Sequence, residues 1–455
     1  MRYKLFTLLI TIVSLSGYAQ DDDAVKIRAI ANEILLHGTA YDNLHTLTKQ
    51  VGGRLSGSPQ TYKAEAWGQA ALQQAGADRV QLQSCLVPHW IRGGKDQARI
   101  TTGSKKNQPL DVLALGNSVG TGSKGVQAPV VLVNSFDELE QRKNDVKGKI
   151  VFYNYKFNDT YINTFEAYRD AVVYRGNGPS QAAKYGAVAV LVRSMSNSTD
   201  NNPHTGSTRY NDSFPKIPAA AVGLKDADDL AALLKKEPVT VFMETNGKML
   251  PDTIAHNVIG ELTGSEFPDQ VITVGGHLDS WDPAEGAHDD GSGCVQSIEV
   301  LRALKAIGYK PRHTIRVVLF ANEENGTRGG SKYAEEARSK NEKHILAIES
   351  DEGGFTPRAF AVTMPKQQLD KVRSWVPLMA PYGISQINEG GGGSDIRFLN
   401  KELSTPLVGL QPDSQRYFDL HHARNDVFEA VNKRELELGA VSMAALIYLV
   451  DKYGL

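Results

Sequence analysis

The chain has 455 residues, enough for two or three domains at about 150 residues each. Hydrophobic residues make up 41% and charged residues 22%, which excludes a disordered, collagen-like or polytopic membrane protein. Lys and Arg number 50 against 52 Asp and Glu, a net charge of −2, so neither nucleic acid nor an anionic membrane surface is the expected partner.

At the N-terminus, Arg2 and Lys4 precede an apolar run from Leu5 to Val13, and the small residues Gly17 and Ala19 follow at cleavage-site spacing. These are the three parts of a secretory signal peptide, residues 1–19, and the run is too short for a spanning helix of about 20 apolar residues. No other stretch is apolar enough to span a membrane. The expected protein is soluble and exported, either secreted or periplasmic.

Residues 20–110 read as helical. Ile27, Ile30, Ile34 and Leu35 form a helical stripe, Gly52 and Gly53 break the next helix, and Lys63–Ala75 is helical again until Gly76. Residues 111–251 differ in texture. A Gly/Ser stretch spans Gly116–Gly125, short β-branched runs follow at Val126–Val133, Lys149–Tyr153 and Ala187–Val192, and a polar loop runs from Ser194 to Ser213. This pattern predicts a small, largely β domain. Residues 252–455 alternate strand and helix. Val271–Gly275, Ile315–Phe320 and Ile345–Ile348 are continuous apolar runs, and an amphipathic helix over Val295–Leu304 separates the first two. The fold class is therefore α/β, with an open, mostly parallel sheet flanked by helices.

Each of those strands runs into a polar cluster: His277, Asp279 and Asp282 with His288, Asp289 and Asp290; Glu323 and Glu324; Asp351 and Glu352; and later His421, His422 and Asp426. One acidic loop means little, because such residues usually face water. Clusters at successive strand carboxyl ends can converge. The two cysteines, Cys85 and Cys294, exclude a disulfide scaffold and a thiolate zinc cluster. An oxygen and nitrogen donor set suits zinc, manganese or cobalt.

These motifs resemble peptidase family M28, the co-catalytic zinc peptidases, and within it the carboxypeptidase Q-like branch. The resemblance rests on Gly53-Arg54-Leu55-Ser56-Gly57-Ser58, Val87-Pro88-His89-Trp90, Asn257-Val258-Ile259-Gly260 and above all His277-Leu278-Asp279-Ser280-Trp281-Asp282. It implies a zinc-exopeptidase fold with an inserted protease-associated domain, two Zn²⁺ ions per chain and small peptide substrates. Homodimerisation is implied by the family alone. Carried over residue by residue, His277 and Asp351 complete one metal, Glu324 and His422 the other, and Asp289 bridges them. Asp279 orients the His277 imidazole, and Glu323 is the general base. The family's ligand histidine stands four residues before an acid, as His422 does before Asp426. A tyrosine that often precedes it, donating to the oxyanion, is replaced here by His421. Asp290 is left to cap the helix that starts near Gly293, His288 to the rim, and His204 to a solvated loop.

The implied activity is hydrolysis by a metal-held hydroxide with Glu323 as proton shuttle. Few Arg residues neighbour the motifs, which favours an aminopeptidase or dipeptidase. A carboxypeptidase on the same site, a single-zinc glutaminyl cyclase and a catalytically inactive receptor-like binding module are the alternatives.

Overall fold

The apolar runs after residue 252 form the centre of the molecule. In a computed structural model that describes residues 22–455, they lie in the strands Phe267–His277, His313–Phe320 and Lys343–Glu349. The signal segment at 1–19 lies outside the described residues. Phe267–His277 pairs in parallel with both of the other two strands. The full eight-stranded order is Arg79–Ile91, Lys248–Leu262, His313–Phe320, Phe267–His277, Lys343–Glu349, Leu407–Pro412, Pro357–Thr363 and Gln386–Glu389. The antiparallel pairs lie toward its two edges.

Parallel strands must be covered on both faces. One face packs against the helices 22–37, Ser292–Ala306 and Lys433–Tyr453, whose side chains join a single core. Lys433–Tyr453 is buried from Gly439 to Asp451, so it reads as apolar all round rather than amphipathic. Asn432 caps it, accepting the N–H groups of Arg434 and Glu435. On the other face, Tyr333, Ala334 and Ala337 of the helix Arg328–Ser339 pack against Val318 and Ala347.

The N-terminal part departs from its helical expectation. Helices 22–37, Ala40–Thr46 and Pro59–Gln74 are present, but Arg79–Ile91 is a 13-residue strand. Cys85 and Val87 are buried while Leu82 and Leu86 are exposed. It is an edge strand half open to solvent, and its glutamines, serine and proline mask the alternation.

The second sheet is also eight-stranded. Its order is Pro109–Leu110, Gln97–Ile100, Thr240–Glu244, Val126–Val133, Ile150–Tyr153, Ala189–Arg193, Ala219–Val222 and Val112–Ala114. Separate apolar clusters cover its two faces, with the helices Thr164–Gly176 and Gly178–Ala183 on one and Leu224–Leu234 on the other. The chain enters and leaves this sheet through one antiparallel ribbon, Arg79–Ile91 against Lys248–Leu262. Trp90 and Trp281 meet edge to face, with ring centroids 6.2 Å apart, where the two sheets adjoin. Gly116 is required there, since any Cβ would collide with the Trp281 ring. Among the described residues no helix is long and apolar enough to cross a membrane.

Candidate active site

Three strand ends and the segment after the helix Tyr417–Leu420 converge on Asp289. Its Oδ1 lies 3.1 Å from His277 Nε2, and its Oδ2 lies 3.2 Å from His422 Nε2. His277 Nε2 is also 3.2 Å from Asp351 Oδ1, and His422 Nε2 is 3.1 Å from Glu324 Oε2. The structure thus brings together all five residues expected as metal ligands. His421 stands one step outside, with Nε2 at 3.8 Å from Asp289 Oδ2 and its ring stacked on His422 at 3.5 Å.

A backbone carbonyl beside each outward nitrogen favours the Nδ1–H tautomer. His277 Nδ1–H donates to the Asp279 carbonyl at 2.9 Å, and His422 Nδ1–H donates to the Thr205 carbonyl at 3.2 Å. Each Nε2 then turns a lone pair toward carboxylate oxygens. Without a cation, a proton must fill each gap. Burial opposes charge on His277, but Asp351 and Asp289 outweigh it and hold the imidazole well above its usual range. Burial opposes charge on His422 too, yet Glu324 and Asp289 raise it to about 9. Burial pushes Glu324 up to about 8 and Asp351 to about 6. Donors held 2.0–2.2 Å from one tetrahedral ion sit about 3.3 Å apart. The spacings here match that value, and a divalent cation relieves the same crowding of negative charge. The residues present therefore fit a metal.

The surrounding groups hold this geometry. Asp290 Oδ2 accepts the His277 N–H, and Oδ1 accepts the Gly293 N–H, both at 2.9 Å, so it caps the helix and buttresses the strand end together. Gly276 leaves room for that carboxylate. Asp426, pushed up to about 7 by burial, accepts the N–H groups of His288 and Asp289. Fully buried Arg54 donates to the carbonyls of Leu278, Glu285 and Gly286, pinning the loop that carries Asp289. Asp279 supports His277 through its backbone carbonyl, since its carboxylate stands 3.8 Å away. That carboxylate instead accepts the Glu323 N–H at 2.9 Å and the Ser56 hydroxyl at 3.3 Å. It therefore positions the expected base as well as the expected ligand.

Glu323 opens onto a cleft of about 750 Å³ shared with Asp289, Asp351, His421 and His422. Gly392 and Gly393 also line it. The inserted segment supplies Tyr168, Arg175 and Arg209. None of these was singled out from the sequence, because they sit on a helix and a loop without a motif. Two histidines differ from expectation. His288 is buried and stacked on Phe355 at 4.1 Å, not at the rim. His204 is buried rather than solvated, and burial lowers its pKa to about 4. Cys85 and Cys294 are both buried and unpaired.

A His–carboxylate cluster at the strand ends of an open α/β sheet is the layout of a metal-dependent hydrolase. The sequence matches peptidase family M28 over residues 257–447 and the PA domain over residues 126–230. Carboxypeptidase Q of Homo sapiens is 35% identical over 428 residues, covering 93% of this chain and 88% of that protein. A solved peptidase M28 precursor from Shewanella amazonensis superposes with a TM-score of 0.90 at 33% identity, covering 95% of this chain and 97% of that one. A zinc aminopeptidase from Bacillus subtilis shares the fold, with a TM-score of 0.66 at 20% identity, covering 90% of this chain and 94% of that one. The chain belongs to peptidase family M28, with a PA domain inserted in the peptidase fold. It is a metallo-exopeptidase.

Proposed function

We propose that this chain is a di-zinc exopeptidase of small peptides, an aminopeptidase or dipeptidase that works outside the cytoplasm. Asp289 carries the reading. Each of its oxygens faces a different imidazole, and each imidazole is paired with a second carboxylate, Asp351 or Glu324. One shared carboxylate between two half-sites suits two ions better than one. When bound, a zinc pair supplies Lewis-acid polarisation of the carbonyl and activation of water at neutral pH.

The chain's own residues do the rest. Glu323 takes the proton of the attacking water and delivers it to the leaving amine. Asp279 fixes its starting position through the backbone. Burial, and then the neighbouring His422, hold His421 well below the usual histidine range, so it is neutral and offers one ring N–H to the carbonyl oxygen as that oxygen gains charge. His421→Phe is expected to keep its metal, change KM little and lose about 10²–10³ in kcat. Metal analysis beside steady-state kinetics checks this.

Acids Glu349 and Glu352 and arginines Arg175, Arg209 and Arg397 line one cleft, which supports recognition of both termini of a short peptide. Free dipeptides should be cleaved, and a chelator should abolish turnover. N-acetylated dipeptides should resist. Cleavage of N-blocked but not C-blocked peptides would favour the carboxypeptidase reading, for which the three arginines speak. A metal count of about two per chain separates the proposal from a single-zinc cyclase and a metal-free binding module.

We take residues 111–251 as the core of the inserted unit. Its N-terminal edge is better drawn near Gln97, where its sheet begins. Because this unit walls the cleft, peptides longer than about ten residues should be cleaved at least ~10-fold more slowly than dipeptides. Equal rates in a length series would remove the lid role.

A further inference from the structure

The helix Thr164–Gly176 of the inserted segment turns Phe165, Tyr168, Val172 and Arg175 toward the cleft. Tyr168 is edge-on to His421, with ring centroids 5.0 Å apart, and stacks on Phe418 at 4.7 Å. Its hydroxyl accepts a hydrogen bond from Arg175 Nη2 at 2.6 Å. The hydroxyl's own proton has no acceptor among the described residues. Arg175 is in turn anchored beside the metal ligands. Its Nη1 donates to the Thr205 carbonyl at 3.3 Å, the same carbonyl that receives His422 Nδ1–H, and lies 3.3 Å from that ring nitrogen. Arg175 is buried, and its Nε has no partner, so the guanidinium keeps much of its charge for the phenol.

A phenol whose oxygen already accepts from a cation is a stronger donor through its proton, and a dry cleft magnifies the effect. Tyr168 lines the same wall as Asp289, Glu323 and His421. His421 occupies the sequence position where a hydroxyl donor is expected, and Tyr168 sets a phenol edge-on against that imidazole from another part of the chain.

We propose that Tyr168 is a catalytic residue whose phenolic O–H donates to the scissile carbonyl oxygen as that oxygen becomes tetrahedral and anionic, with Arg175 as its positioning residue. The O–H bond stays intact, so this is stabilisation and not proton transfer. The proposal rests on the exopeptidase reading above. It makes the inserted segment part of the catalytic apparatus and gives the oxyanion two donors, one from each side of the cleft.

The test uses the full chain with its metal, a free dipeptide as substrate and a phosphinic dipeptide analogue as tetrahedral mimic. Tyr168→Phe should keep metal content and melting temperature, lose about 10²–10³ in kcat and change KM less than about threefold. Its affinity for the phosphinic analogue should fall, while that for the dipeptide products should not. Arg175→Met should lower kcat in the same sense, and Arg175→Lys should restore part of it. A double Tyr168→Phe, His421→Phe variant should lose less than the product of the single effects, because both donors serve one oxygen. If Tyr168→Phe is unfolded, the Arg175 pair decides. Rescue by lysine supports the proposal, and equal loss in both variants overturns it. A folded Tyr168→Phe with kcat within about threefold of wild type also overturns it, while the exopeptidase reading stands. A wild type that is inactive on every dipeptide would overturn that reading and take the tyrosine's role with it.

Discussion

Glu323→Gln is expected to retain its full metal content and fold while losing turnover by about 10²–10⁴, the usual range for a general acid–base group. The carboxylate of Glu323 makes no hydrogen bond or ion pair with any described residue, unlike Glu324, which faces His422 at 3.1 Å. Glutamine keeps the shape and removes the proton acceptor. Because the Glu323 backbone is held by Asp279, the substitution should leave the strand end in place. Elemental analysis and kcat on one free dipeptide decide the matter. A metal-replete variant with near wild-type turnover would take Glu323 out of the mechanism. Loss of metal would show that it is a ligand and that the base lies elsewhere.

Asp289→Ala should have the opposite signature, losing metal and activity together. Among the described residues it removes the only carboxylate that faces both imidazoles. Groups that merely orient a ligand cost about 10–100-fold in metal affinity, so a shared ligand should cost well beyond ~10²-fold. The neighbouring Asp290→Ala separates chemistry from architecture. It strands the buried N–H groups of His277 and Gly293, at about 1–3 kcal/mol for each donor left unpaired. It should melt earlier, measured with chelator present so that metal does not mask the change, yet still bind metal at low temperature. If Asp290→Ala abolished metal binding and Asp289→Ala did not, the bridging role would move one residue along the chain.

The parallel centre of the fold was legible because strands buried on both faces must be continuously apolar. Val271–Gly275, Ile315–Phe320 and Ile345–Ile348 carry no polar interruption, and each sits inside an observed strand. Edge strand Arg79–Ile91 was not legible, since half of it faces water and its alternation is diluted by Gln81, Gln83 and Pro88. The convergence of the His and carboxylate residues was readable for the same reason as the centre. His277, Glu324 and Asp351 follow the ends of legible strands, whereas His422 comes after the short helix Tyr417–Leu420. What escaped notice lies off those strand ends. Arg54 acts through three backbone carbonyls, and no motif spacing records such a contact. Tyr168 and Arg175 lie on a helix whose apolar residues, Ala167, Ala171 and Tyr174 among them, mark only its core face, and the folding of the insert over the cleft gives the pair its role. The buried state of His204 and His288 likewise comes from neighbours distant in sequence, such as Phe355 for His288.

One contact described above ties the two sheets together at the atomic level. The carbonyl that receives His422 Nδ1–H belongs to Thr205, and the Thr205 N–H binds the His422 carbonyl in return at 3.0 Å. A residue of the insert and a residue of the His–carboxylate cluster therefore hold each other through one backbone and one side-chain hydrogen bond. Any swing of the insert about its two-stranded stem that widens the cleft must break this clasp and free the His422 ring. The place of the insert and the aim of one imidazole of the cluster are therefore set by the same two hydrogen bonds. The peptidase fold cannot be trimmed back to its own sheet without losing the partner that aims one of its histidines, and an insert grafted from a relative must present a carbonyl at the place of Thr205 to be accepted.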